Sequence, residues 1–236
     1  MAGRRRRAGA GWTLGLVGLL ATTILGYRLF FDDAAPNGGP TGSTWSADAP
    51  DASGRYAAAL ASLETLPSAA AGDALPAYSR TEFLPGGWAD LDRDGCYTRN
   101  EILRRDLIEV GYGDGWCEVT TGVLEDPYTG ETVSFDKATS TTSVQIDHVI
   151  PLASAWRAGA WGWTKEQRKA FANDPAELLA VAGSANQSKG DLGPADWLPA
   201  VGQCGYAATW AEVAAHYELA LTEPDRAALR HTLSTC

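Results

Sequence analysis

The order of apolar and polar positions divides the chain into elements before any chemistry is considered. Residues 119–124 and 131–135 are β-prone runs joined by Asp126-Pro127-Tyr128-Thr129-Gly130, a strong turn sequence, and so predict a hairpin. Residues 143–146 are β-prone and end at Asp147-His148. Leu178 to Val181 is a short apolar run that predicts a strand, and Gly183-Ser184 supplies a turn and a helix start. Residues 55–66 place Tyr56, Leu60 and Leu63 at helical spacing. Residues 100–110 do the same with Ile102, Leu103, Leu107 and Val110. Further helices are expected over 153–163, 164–172, 206–221 and 224–233, the last with Pro224 near its start. There is no internal repeat.

The first 31 residues follow another pattern. Arg4 to Arg7 form a basic cluster, and residues 8–27 then carry no charge. About 20 apolar residues in a helix cross a bilayer core. Arginines on the N-terminal side favour a cytoplasmic N-terminus and an exported body. A cleaved signal peptide is the rival reading, but Leu29-Phe30-Phe31-Asp32-Asp33 offers no clear small-x-small site. The chain thus divides into a membrane anchor or signal peptide (1–31), a flexible linker containing a short helix (32–77) and a folded domain (78–236). Either reading places the domain outside the cell or on its surface.

The cysteines agree. Cys96, Cys117, Cys204 and Cys236 are an even count in an exported chain and predict two disulfides. Sequential pairing, Cys96 with Cys117 and Cys204 with Cys236, makes both loops short. No pair has CxxC spacing, which argues against a zinc site.

Charge narrows the place for chemistry. The net charge is −10, unfavourable for a nucleic-acid binder, because phosphate contacts need Lys and Arg. The acids are concentrated elsewhere: residues 134–190 carry six basic and five acidic residues. A bound divalent cation would offset the acidity further.

Within that stretch lies Asp147-His148-Val149-Ile150-Pro151-Leu152, and about forty residues on lies Asn186-Gln187-Ser188-Lys189-Gly190-Asp191. Neighbours on a strand point to opposite faces, so Asp147 and His148 do different jobs. Asn186 and Lys189 share a helix face. A carboxylate and an amide oxygen can hold one hard divalent cation, a neutral histidine can deprotonate water, and a lysine can meet phosphate charge. These are the parts of metal-assisted phosphodiester hydrolysis.

The two blocks, with Phe171-Ala172-Asn173-Asp174-Pro175 and Leu178-Leu179-Ala180-Val181 between them, resemble the HNH endonuclease superfamily. The chain is most similar to the GmrSD-type C-terminal nuclease domain in its exported actinobacterial form. The likeness extends to residues 88–107, Cys117, residues 126–130, Cys204 and the last cysteine, roughly 78–236 in all. It implies an α+β fold, a ββα-metal core with additional helices and two disulfides, around one Mg²⁺ or Mn²⁺. It makes His148 the general base, Asp147 and Asn186 the metal ligands, and Lys189 a contact to phosphate or a stabiliser of the transition state. The family's middle motif commonly has asparagine where this chain has Glu177; that residue holds the loop carrying the base, and Asn173 could substitute. The implied activity is cleavage of DNA, with RNA left open, by a monomer with no protein partner implied. Sequence preference should be low, since no separate DNA-reading module is present.

A second metal candidate stands apart. Asp90, Asp92, Asp94, Gly95 and Glu101 occupy positions one, three, five, six and twelve of an EF-hand loop, a pattern for structural Ca²⁺. The incoming Phe83-Leu84-Pro85-Gly86-Gly87 cannot be a regular helix, so this is not a standard EF-hand. An Asp-rich turn capping the next helix is the plain alternative. Arg99, Arg104 and Arg105 could balance these acids or engage DNA. Trp156, Trp161 and Trp163 suit packing better than base stacking, and His216 and His231 lack an acidic or asparagine block. The rival to a nuclease is a catalytically inactive, calcium-stabilised surface binding protein on the same fold. No GxSxG elbow supports another hydrolase.

Overall fold

A computed structural model describes residues 52–69 and 75–236. The anchor or signal peptide expected over 1–31, and most of the tether, lie outside the described residues. Among those described, no helix is long and apolar enough to cross a membrane.

The described residues form seven α-helices and two small antiparallel sheets. In chain order they are α1 (Ala52–Ser62), α2 (Thr98–Asp106), β1 (Ile108–Tyr112), β2 (Val119–Glu125), β3 (Thr132–Asp136), β4 (Val144–His148), α3 (Leu152–Arg157), α4 (Lys165–Ala172), β5 (Leu178–Ala182), α5 (Gly183–Lys189), α6 (Gln203–His216) and α7 (Glu223–Ser234). The fold is α+β, as expected, with β4, β5 and α5 in the order of a ββα-metal core. Both disulfides pair sequentially, Cys96 with Cys117 and Cys204 with Cys236.

Two expectations are corrected. Helix α1 falls within the stretch read as a linker, yet it belongs to the core: Tyr56, Ala59, Leu63 and Leu66 are buried with residues of α6 and α7. Arg55 pairs with Glu212 of α6, and Arg226 of α7 donates to the Leu63 and Leu66 carbonyls. The folded unit therefore reaches back to Ala52. The helix expected over 100–110 ends at Asp106, and residues 108–112 form a strand instead. Leu107 is buried and Gly122 of β2 lies against it; a Cβ at Gly122 would meet Leu107 at 2.5 Å. That packing turns the chain out of the helix and onto β2.

Two apolar clusters organise the domain. The larger joins α1, α3, α4, α6 and α7, with Trp156 buried and Trp163 packed against it. Trp161 is exposed, so packing explains two of these three tryptophans. The smaller cluster lies between α2 and the sheets, with Ile102, Leu103, Leu124, Phe135, Val144 and Leu178 buried. Arg105 and Asp106 fasten α2 to β5: Arg105 donates to the Pro175 and Leu178 carbonyls, and Asp106 accepts from the Ala180 amide at 2.8 Å. These bonds commit the Arg105 guanidinium to the packing of α2 against β5.

Candidate active site

Strand β4 runs antiparallel to β5, with Asp147 opposite Leu179 and His148 opposite Leu178. Successive side chains leave a strand on opposite faces. Gln145 and Asp147 accordingly meet α5, while His148 turns toward Trp88 and the end of α4. The passage from β5 into α5 requires glycine: a Cβ at Gly183 would lie 2.0 Å from the Thr142 carbonyl oxygen. That close approach sets α5 against β4 and so fixes where Asn186 and Lys189 point.

His148 is 5% exposed and its ring stacks on Trp88 at 5.6 Å, nearly parallel. Its Nε2 lies 3.0 Å from the Ala172 carbonyl oxygen. A carbonyl can only accept, so Nε2 carries the proton and Nδ1 keeps its lone pair. Burial lowers the histidine pKa to about 3, with the Arg80 and Lys189 charges acting in the same direction. The ring is therefore neutral at physiological pH, the form a general base needs. It borders an open cleft of about 610 Å³ with Asp147, Asn186, Tyr78, Arg80 and Asp191.

Asp147 is 4% exposed and heavily bonded. Lys189 Nζ donates to both carboxylate oxygens at 2.8 Å, and Tyr128 donates to Oδ2 at 2.6 Å. Lys189 also donates to the His148 carbonyl at 2.6 Å and is fully buried. The ammonium expected to meet phosphate is turned to Asp147 and the His148 carbonyl. An ammonium has three donors, and all three are spent inside the protein. Lys189 instead positions Asp147 and the strand end that carries His148.

The remaining oxygens suit a divalent ion. A carboxylate offers about four lone-pair sites, so these three bonds leave one on Asp147 Oδ1. Asn186 donates through Nδ2 to Gln145 Oε1 at 2.9 Å, which leaves its Oδ1 available. Two protein oxygens with water in the other positions are a donor set suited to Mg²⁺ or Mn²⁺.

Glu177, where the family commonly has asparagine, performs the loop-holding task itself. Its Oε1 accepts from the Ile150 amide at 2.9 Å, and its carbonyl accepts from the Val149 amide at 2.9 Å. Both bonds hold the turn that follows His148. The side chain is fully buried, and burial pushes its carboxyl well above the ordinary range. Asn173 does not substitute. Its Oδ1 accepts from the Ala89 amide at 2.9 Å, which fixes the segment carrying Trp88 beside the histidine.

Three participants escaped the sequence reading. Trp88 carries the stack, Tyr128 holds Asp147, and Arg80 faces the cleft. Tyr128 alone left a signal, as a bulky aromatic at the centre of an otherwise polar turn. The Asp-rich loop lies apart, its base set by Thr98 bonds to the Ala89 carbonyl. Carboxylate oxygens of Asp90, Asp92 and Asp94 come within 4.8 Å of one another. Glu101 is near enough for its pKa to be raised, by burial first and then by these three acids.

A family model described as the C-terminal domain of GmrSD restriction endonucleases matches residues 97–224. An "Uncharacterized secreted protein" of Arthroderma benhamiae is 40% identical over 163 residues, covering 67% of this chain and 76% of its own. No solved structure matches the chain. The family match spans more than half of the chain and takes in both β4 and α5, so this protein belongs to the GmrSD C-terminal domain family, an HNH-type nuclease family.

Proposed function

We propose that the chain is an exported, metal-dependent endonuclease that hydrolyses phosphodiester bonds in DNA, with RNA open as a second substrate and little sequence preference. The observation that carries this reading is His148: a neutral imidazole, its Nε2–H held by the Ala172 carbonyl, beside two oxygen donors that border the same cleft. His148 Nδ1 takes a proton from water as the hydroxide oxygen bonds to phosphorus, and the bond to the leaving oxygen breaks, that oxygen keeping the electron pair and taking a proton from solvent. Asp147 and Asn186 would hold the divalent ion, which when bound supplies charge stabilisation at the phosphate. Two disulfides, together with the secreted name of the relative, support an extracellular site of action. The test is plasmid degradation by the purified chain. Cleavage is expected with Mg²⁺ or Mn²⁺ and none in EDTA; cleavage that persists in EDTA, or never occurs with any metal, defeats the reading.

The Asp-rich loop supports a second, structural ion. Asp90, Asp92, Asp94 and Glu101 would hold Ca²⁺ with the Gly95 turn at a φ of 93°, the sharp bend that such loops need. Millimolar Ca²⁺ is expected to raise the melting temperature of the parent and not of Asp92→Ala. Equal shifts in both would remove calcium from this loop. If calcium stabilised the parent but no metal supported cleavage, the inactive surface-protein reading would replace the nuclease.

A further inference from the structure

A phosphodiester in the cleft brings negative charge, and the cation expected to meet it is unavailable: Lys189 is buried and spends its donors on Asp147 and His148. The other charges around the cleft are also engaged. Asp147 pairs with Lys189, and Asp191 pairs with Arg157 at 3.0 Å. Arg80 differs. It borders the cleft beside His148, it is exposed, and it forms no ion pair among the described residues. Burial raises the pKa of the Tyr78 phenol, which borders the same cleft, and the nearby Arg80 charge opposes that shift.

The segment carrying Arg80 is anchored on both sides. Trp156 donates from Nε1 to the Pro76 carbonyl at 2.8 Å. Tyr78 packs edge-on against Trp156, with ring centroids 6.3 Å apart. Residues Arg80–Glu82 form a single 3₁₀ turn, followed at once by Phe83, which is fully buried. Arg168 of α4 donates to the Glu82 carbonyl at 3.2 Å and to its carboxylate at 3.0 Å. Glu82 is thereby occupied by another arginine and does not neutralise Arg80. The backbone that carries Arg80 is fixed by the core and its guanidinium is left without a carboxylate, an arrangement that offers a planar pair of donors to an incoming oxyanion.

We infer that Arg80 is a catalytic residue that contacts the scissile phosphate, in the role the sequence pattern suggested for Lys189. The inference rests on the nuclease reading and adds to it the residue that engages the reacting group. Arg80 sits on the face of the cleft formed by residues N-terminal to the ββα unit, so the substrate is gripped from outside the motif that performs the chemistry. A guanidinium there counters charge that grows on the phosphate oxygens as the hydroxide adds.

The test compares Arg80→Ala, Arg80→Lys and His148→Ala with the parent. Cleavage of a short labelled duplex is followed in Mn²⁺, and binding of the same duplex is measured in EDTA over a range of salt. Arg80→Ala is expected to melt like the parent and to lose about 10²-fold in turnover. Arg80→Lys should recover part of that loss, since it keeps the charge without the fork. In EDTA, the salt dependence of binding should fall by about one phosphate contact in Arg80→Ala. If Arg80→Ala cuts as fast as the parent while His148→Ala is inactive, the nuclease reading stands and the Arg80 assignment is wrong. If the parent cuts nothing with any metal, both fail together.

Discussion

His148→Ala is expected to reduce plasmid cleavage by about 10²- to 10⁴-fold, the range a positioned general base contributes. Among the described residues, the carboxylates that border the cleft with it are Asp147 and Asp191. Asp147 has one lone-pair site left after Lys189 and Tyr128, and Asp191 is paired with Arg157. Thermal melting of the variant, followed by circular dichroism, separates chemical loss from unfolding. A folded variant that retains parental activity would end the assignment. The pH profile gives a second reading of the same residue. With burial lowering the imidazole to about 3, the base form persists throughout the neutral and mildly acidic range. Activity between pH 8 and pH 5 should therefore not trace the ordinary histidine titration near 6.5. A clean loss centred there would mean that His148 is solvated in the working enzyme.

What the sequence revealed, and what it hid, divides along local and non-local lines. Asp147-His148 at a strand end, the strand at 178–182 and the helix opening at Gly183 were legible because each depends on nearby residues. The disulfides were legible because short loops close most readily. Strand β1 was not, since Leu107 and Val110 continue the helical spacing of Ile102 and Leu103 and only contact with β2 decides otherwise. The role of Lys189 was hidden for a related reason. Its placement on the Asn186 face was correct, but helix spacing does not say what lies opposite; here it is the buried carboxylate of Asp147, not solvent. Glu177 could be located by position yet not interpreted. Its function depends on the Ile150 amide, brought close only when β4 and β5 pair.

Lys189→Met is expected to destabilise the protein in EDTA by about 3–5 kcal/mol, because it leaves a carboxylate buried without its counter-charge. Methionine keeps most of the length and apolar contact of the lysine stem, so the loss reports charge more than volume. For a domain of this size that corresponds to a fall in melting temperature on the order of 10 °C. Tyr128 still donates to Asp147 in the variant, but a single phenol hydrogen bond does not replace an ammonium that reaches both oxygens. Saturating Mg²⁺ or Mn²⁺ should restore part of the loss. An ion held at Asp147 stabilises the folded state by mass action, and it binds more tightly once the competing ammonium is gone. Parental melting in EDTA would show that the ion pair carries little weight. An equal deficit with and without metal would show that the ion is not held at Asp147, and the ligand set would then have to be sought around Asn186 without it.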